Sequence, residues 1–154
     1  MAEETGAEPR LQFGTPDPGV DYVRRHAAFG VVEQDGRIAC VRVERGPASY
    51  FDLPGGAVDG EESEPEALAR EFVEETGLFI VVGERFGEAA QFFRRSNGAP
   101  VNNTGGFWTG RVERADPAAK VEEDHALDWL EPGYAIANLR HDAHAWAVAA
   151  WLRR

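Results

Sequence analysis

The stretch from Gly56 to Leu78, GAVDGEESEPEALAREFVEETGL, crowds eight carboxylates into twenty-three residues, with Arg70 its only basic side chain. Ser63, followed three positions later by Glu66, reads as a capping box. Pro65 falls in the first helical turn, where a missing N–H costs little. Gly77 stands where a C′ glycine ends a helix. The spacing therefore predicts a loop and then a helix over 64–76. On a wheel of about 100° per residue, Glu71, Glu74 and Glu75 share one arc at i, i+3 and i+4. Leu68, Ala69, Phe72 and Val73 cover the neighbouring arc, which can pack on a sheet. Ala67 lies beneath the carboxylates and leaves room for close approach.

Like charges at these spacings each destabilise a helix by a few tenths of a kcal/mol. Near the helix C-terminus the macrodipole also disfavours anions. A face that only confers solubility would intersperse lysines; here Arg70 stands alone, with Glu66 and Glu74 as its i±4 neighbours. The uncompensated repulsion favours a hard cation with oxygen ligands, Mg²⁺ or Mn²⁺, over a plain solvated face. Upstream, SYFDLP (49–54) reads as a strand running into a Gly55-Gly56 turn, where the backbone can approach the helix and offer a peptide carbonyl. Strand, glycine turn and carboxylate helix together suit metal-assisted attack on a phosphoanhydride.

The segment resembles the signature of the Nudix hydrolases, of the bacterial MutT-like type: G-x5-E-x7-R-E-U-x-E-E-x-G-U, with U a bulky apolar residue. Gly56, Glu62, Arg70-Glu71-Phe72, Glu74-Glu75 and Gly77-Leu78 fill every fixed position, Phe72 where an aliphatic residue is commoner. The resemblance implies an α/β/α sandwich with a mixed sheet between helices, and hydrolysis of a nucleoside diphosphate linked to a group X. It implies that Glu71, Glu74 and Glu75 ligate the metal together with the Gly55 carbonyl, that Arg70 orients the glutamates, and that Glu62 supports them from the loop. Family members draw the catalytic base from the box or from a distant loop; Glu122 and Glu123 are the distant candidates here. EEDHALDWLEP and LRHDAHAWAV are also similar to stretches of a bacterial subgroup of the family.

The rest of the chain is consistent with one domain over 11–154, preceded by an acidic, flexible stretch over 1–10. LQF (11–13) suggests an edge strand, and AAFGVVEQDGRIACVRV a hairpin about Asp35-Gly36. LFIVVGERFGEAAQFFRR suggests two strands, SNG (96–98) a turn, GFWTGRVE a strand and ALDWL another. A short helix is expected after Pro132, and a closing helix over 142–154 offers Trp146, Val148 and Trp151 to the core. Strands around helices predict a mixed sheet covered on both faces. A formal charge of −11 argues against a nucleic-acid polymer or an anionic membrane as partner, though not against a small phosphorylated ligand bridged by a cation. The single cysteine, Cys40, reads as inert core and fits a reducing compartment. With no basic and apolar leader at the start and no long apolar run, the expected setting is cytoplasmic. A homodimer stays open.

Substrate signals are sparse. No SQPWPFP-like run follows the box, no coenzyme A hydrolase pattern precedes it, and Arg94 stands near the place where ADP-ribose pyrophosphatases carry a proline. Tyr50, Phe51, Phe92, Phe93 and Trp108 are candidates to stack on a base, against the ordinary fate of strand aromatics as core. His141 and His144, at i,i+3 with no third ligand nearby, read as capping or surface residues rather than metal ligands. The expected activity is metal-dependent splitting of a nucleoside triphosphate to the monophosphate and pyrophosphate. The alternatives are a dinucleoside polyphosphate or a nucleotide sugar as substrate, or a nucleotide-binding domain without turnover.

Overall fold

The computed structural model describes residues 11–154; the expectation of a flexible 1–10 lies outside the described residues. The strands are β1 (Gln12–Phe13), β2 (Val23–Gln34), β3 (Arg37–Arg45), β4 (Ala48–Asp52), β5 (Gly55–Ala57), β6 (Leu78–Arg94), β7 (Pro100–Ala115) and β8 (His125–Leu130). The helices are α1 (Glu64–Thr76), α2 (Pro132–Asn138) and α3 (Asp142–Leu152), with a 3₁₀ turn over Pro117–Ala119. The strand order is β1-β6-β7-β2-β3-β4, with β5 added on β2 and β8 on β3. Pairing is parallel for β1–β6 and β2–β7 and antiparallel elsewhere, so the sheet is mixed as expected.

Alternation along the strands sorts two cores. Ala28, Val32 and Ala39 turn to one face and pack with Leu68 and Phe72 of α1. Val31, Ile38 and Cys40 turn to the other and pack with Ala135 of α2 and Ala143, Ala147 and Val148 of α3, with Trp146 and Trp151 half-buried against them. The result is helix, sheet, helix. Burial pushes the Cys40 thiol up to about 12, in keeping with an inert core residue. Among the described residues no helix is long and apolar enough to cross a membrane.

Helix α1 begins and ends where the sequence places it. Ser63 Oγ accepts from the Glu66 N–H (3.2 Å) while a Glu66 carboxylate oxygen accepts from the Ser63 N–H (2.8 Å). Gly77, at φ 76°, closes the helix by donating to the Val73 carbonyl. Its buried side is Ala67, Leu68, Phe72, Glu75 and Thr76, whereas Ala69 and Val73 are only half-buried.

Three local expectations are corrected. Residues 78–94 form one bent strand rather than two, because β6 stays paired with β7 while register shifts near Phe79, Val82 and Arg85 absorb the bends. β7 begins at Pro100, six residues before GFWTGRVE, and runs on to Ala115, two residues past it. Gly55-Gly56 is not a free turn but part of a three-residue strand on β2, in the register Ala28↔Gly56 and Phe29↔Gly55. Gly55 has φ +143°, and a Cβ there would stand 2.2 Å from the Ala28 carbonyl oxygen, so a side chain is excluded.

The placement that decides the site is the parting of β2 and β3. They pair only at Glu33↔Ile38 and Gln34↔Arg37; β2 then takes β5 as its neighbour while β3 takes β4 and β8. The N-terminus of α3 points into the resulting opening, and His141 and His144 are buried there, 5% and 2% exposed, rather than on the surface. His141 makes no capping hydrogen bond. Burial, then Arg140, pulls His141 down to about 3 from 6.5, and burial holds His144 well below its usual range, so both are neutral in the fold.

A lowered folded-state pKa means that the unfolded chain binds a proton in acid that the folded chain refuses. Stability from these residues is therefore complete above pH 6.5 and falls as the pH drops toward 3. His141→Phe removes one such group. Between pH 7 and pH 5, urea denaturation should show wild type losing about 2 kcal/mol more stability than His141→Phe. Equal losses in the two proteins would mean that His141 titrates normally in the fold.

Candidate functional site

The tight passage from β4 into β5 brings backbone against α1. The Gly55 N–H donates to Glu75 Oε1 at 3.1 Å. A Cβ on Gly56 would stand 2.6 Å from Glu71 Oε2, so only glycine lets that carboxylate lie against the strand. Glu71 and Glu75, one helical turn apart, are thus held on the same buried wall. Glu75 is 8% exposed, and burial, then the neighbouring Glu71, holds its pKa well above the usual carboxylate range; the Gly55 N–H opposes this. Burial likewise pushes Glu71 up to about 7, with Arg70 pulling against it and Glu74 adding to it. Both carboxylates are being kept from ionising freely.

Arg70 is the hub of the outer side. It donates bidentately to Glu62 (2.7 and 3.0 Å) and to the Ala57 carbonyl (3.0 Å), and it meets Glu74 at 3.3 Å and Glu71 at 3.4 Å. Its hydrogen bonds hold Glu62 down to about 2. The expected Arg70–Glu66 neighbour pair is replaced by Arg70–Glu62, because the capping box already engages the Glu66 carboxylate.

The opening between β2 and β3 is a cleft of about 310 Å³. Gly55, Gly56, Glu71, Glu75 and Glu122 line it; Glu62, Arg70 and Glu74 stand behind that wall, and Glu123 lies outside and exposed. Glu122 arrives because the Val121 and Glu122 N–H groups both donate to the Glu74 carbonyl, which folds the loop before β8 over the end of α1. The same loop delivers His125, which the sequence did not single out. His125 Nε2 lies 3.6 Å from Glu75 Oε2, and Nδ1 lies 2.7 Å from Asp124 Oδ1. Glu122, Asp124 and His125 each bring one ligand atom within 4.8 Å of the others, an arrangement that suits a cation.

Arg25, Arg45, Arg95 and Arg140 also line the cleft, none of them anticipated from sequence, and Arg45 pairs with Asp124 at 2.5 Å. Arg140 is bidentate to the half-buried Asp52 (3.1 and 2.7 Å) and lies 3.8 Å over the Tyr50 ring. Burial raises the Asp52 pKa, and Arg140 offsets this. Arg25 donates to Asn103 Oδ1 at 3.0 Å; burial, then Arg95, loosens its proton. Of the aromatic candidates, Tyr50 and Phe93 line the cleft. Phe51 packs in the core beside Tyr134, Phe92 meets Tyr22, and Trp108 donates to Glu64 at 2.8 Å beneath α1. A cleft lined by carboxylates, arginines and aromatic faces suits a nucleotide whose phosphates bridge to the carboxylates through a cation. The one signal for the missed residues is polarity in a strand: Arg24-Arg25 and Asn102-Asn103 are residues that a purely structural sheet seldom places at its centre.

A family model for the NUDIX domain matches residues 23–152. A "MutT-like protein" of Streptomyces ambofaciens is 33% identical over 106 residues, which is 66% of this chain and 60% of that protein. The match therefore spans well under two thirds of the relative's length. The "CTP pyrophosphohydrolase" of Escherichia coli is 28% identical over 108 residues, covering 69% of this chain and 75% of that one. Among solved structures, a NUDIX hydrolase from Nitrosomonas europaea superposes with a TM-score of 0.72 at 23% identity, covering 84% of this chain and 89% of its own, a likeness of fold. With the domain model covering β2 through α3, and Gly56, Glu71 and Glu75 of the box lining the cleft, the chain belongs to the NUDIX family.

Proposed function

We propose that this protein hydrolyses a small nucleoside triphosphate to the monophosphate and pyrophosphate with a bound divalent metal ion. The observation that carries the reading is the buried Glu75 with the half-buried Glu71 one turn away, Arg70 on the outer side of Glu71 and a hydrogen bond from Gly55 to Glu75. Two carboxylates held in so dry a place want a cation. The donors are all oxygen, which suits Mg²⁺, with Mn²⁺ as substitute, better than a soft metal. Glu71, Glu75 and Glu74, with the Gly55 carbonyl, would hold the ion. Once bound, it would neutralise charge on the anhydride oxygens and make water a stronger acid.

The remaining work falls to the chain itself. Arg70, clamped by Glu62, fixes the directions of Glu71 and Glu74. Arg25 and Arg95 line the cleft and would hold phosphate oxygens. Tyr50 and Phe93 offer faces to a base. Glu122, which lines the cleft, is the better placed of the two distant carboxylates to take a proton from the attacking water. The cleft's modest size favours a small X, phosphate or pyrophosphate, over a second nucleoside or a sugar. The relative named for CTP is consistent with a triphosphate substrate.

Two experiments test the proposal. In heavy-oxygen water with Mg²⁺, a panel of nucleoside triphosphates should yield monophosphate and pyrophosphate by chromatography, with label on the product of the attacked phosphorus, and chelation should stop the reaction. Intact triphosphates alongside a consumed dinucleoside polyphosphate or nucleotide sugar would overturn the triphosphate reading; no turnover of any of them would favour a binding domain. Glu75→Gln keeps the acceptor for Gly55 and removes a charge from a repelling pair. Its metal-free stability should hold or rise by about 1 kcal/mol, while kcat falls by roughly a hundredfold or more. Near-wild-type kcat at saturating Mg²⁺ would remove Glu75 from the reaction.

A further inference from the structure

Past His141 and His144 the cleft continues into a smaller recess. Phe29, Asn103, His141 and His144 line both, and Gln91 and Phe107 help to close the inner end. The hydrogen-bonding character of this wall is fixed by partners that can only donate. The Leu53 N–H donates to His144 Nδ1 at 3.1 Å, so Nδ1 is the bare nitrogen and the ring proton of this neutral imidazole sits on Nε2. Arg25 Nη1 donates to Asn103 Oδ1, which fixes the amide's orientation and leaves its NH₂ group outward of that bond. Gln91 is spent between the Ala143 N–H and the Phe92 carbonyl. His144 is 2% exposed and Asn103 8%. Among the described residues neither the His144 Nε2–H nor the Asn103 NH₂ has a partner. Buried donors left unmade are costly, and a ligand acceptor would satisfy them.

The acceptor is not a phosphate. Phe29, Phe107 and neutral imidazoles surround the donors, and stripping water from a polyanion there would cost far more than neutral N–H groups return. The arginines that suit phosphate lie on the cleft side. His141 and Thr104, each able to donate and to accept, bias the choice neither way. We infer that the mouth of this recess receives the nucleobase and favours bases carrying a ring carbonyl oxygen where adenine and cytosine carry an amino group, with Asn103 and His144 as the donors that read it. The inference rests on the nucleotide substrate proposed above.

Two size-matched pairs of monophosphates test it by binding alone: inosine against adenosine, and uridine against cytidine, each pair exchanging a carbonyl for an amino group. Calorimetry on the full chain with Mg²⁺ should find the carbonyl member tighter by about tenfold in at least one pair. Because Asn103 also anchors Arg25, the affinity ratio within each pair is what is read: Asn103→Leu should bring that ratio close to one, the carbonyl member losing several-fold more than the amino member, a pattern that loss of the Arg25 anchor or general loosening of the site would not produce. Equal affinities within both wild-type pairs, or a preference for the amino members, would overturn the inference, as would an Asn103→Leu protein that weakens both members alike. Turnover of the triphosphates is scored separately. Hydrolysis without base preference leaves the proposed reaction standing and removes the inference, whereas preference in binding without hydrolysis does the reverse.

Discussion

Glu75 is buried, and Glu71 half-buried, against the strand that starts at Gly55, and most of the molecule is arranged around that constraint. Neither is where an isolated carboxylate would choose to be. Each repels the other, each has lost much of its water, and the compensations are partial: Arg70 for Glu71 and the Gly55 N–H for Glu75. An ion pair of matched charge would quench such a site. Here Arg70 pairs most closely with Glu62, Arg45 with Asp124 and Arg140 with Asp52, which leaves Glu71 and Glu75 without a matched cation.

The fold keeps this arrangement through backbone rather than through side-chain abundance. Gly55 and Gly56 sit where any Cβ would strike the Ala28 carbonyl or the Glu71 carboxylate. The capping box fixes where α1 starts, and Gly77 fixes where it stops, so the two glutamates meet β5 in one register. The end of α1 also holds the loop that carries Glu122 and His125, through two N–H groups on a single carbonyl, that of Glu74. The early parting of β2 from β3 opens the cleft above them. Chemistry and architecture share the same few contacts.

What was legible in the sequence was local. The helix bounds, the cap, the shared arc of Glu71, Glu74 and Glu75, and the hairpin at Asp35-Gly36 follow from spacing and turn chemistry within a few residues. The rest of the cleft was not legible, because it depends on contacts far apart in the chain: Arg25 with Asn103, Leu53 with His144, Asp52 with Arg140. His141 and His144 read as surface residues because their spacing at a helix start carries no sign of where that helix end points. LFIVVGERFGEAAQFFRR reads as two strands, yet pairing along β7 carries a single strand through with bulges. Arg70 turns to Glu62 rather than Glu66, a choice settled by the competing claim of the cap.

The central claim is that the buried glutamates form a cation site left energetically uncompensated by the protein. Thermal denaturation against Mg²⁺ at constant ionic strength tests it most directly. Binding to the folded state should raise Tm progressively with Mg²⁺ concentration, as mass action requires. The rise should be lost when Glu71 and Glu75 are both replaced by glutamine, and the metal-free variant should be at least as stable as metal-free wild type. A wild-type Tm that ignores both Mg²⁺ and Mn²⁺ would contradict the account, because the carboxylates would then need some other reason to be buried together.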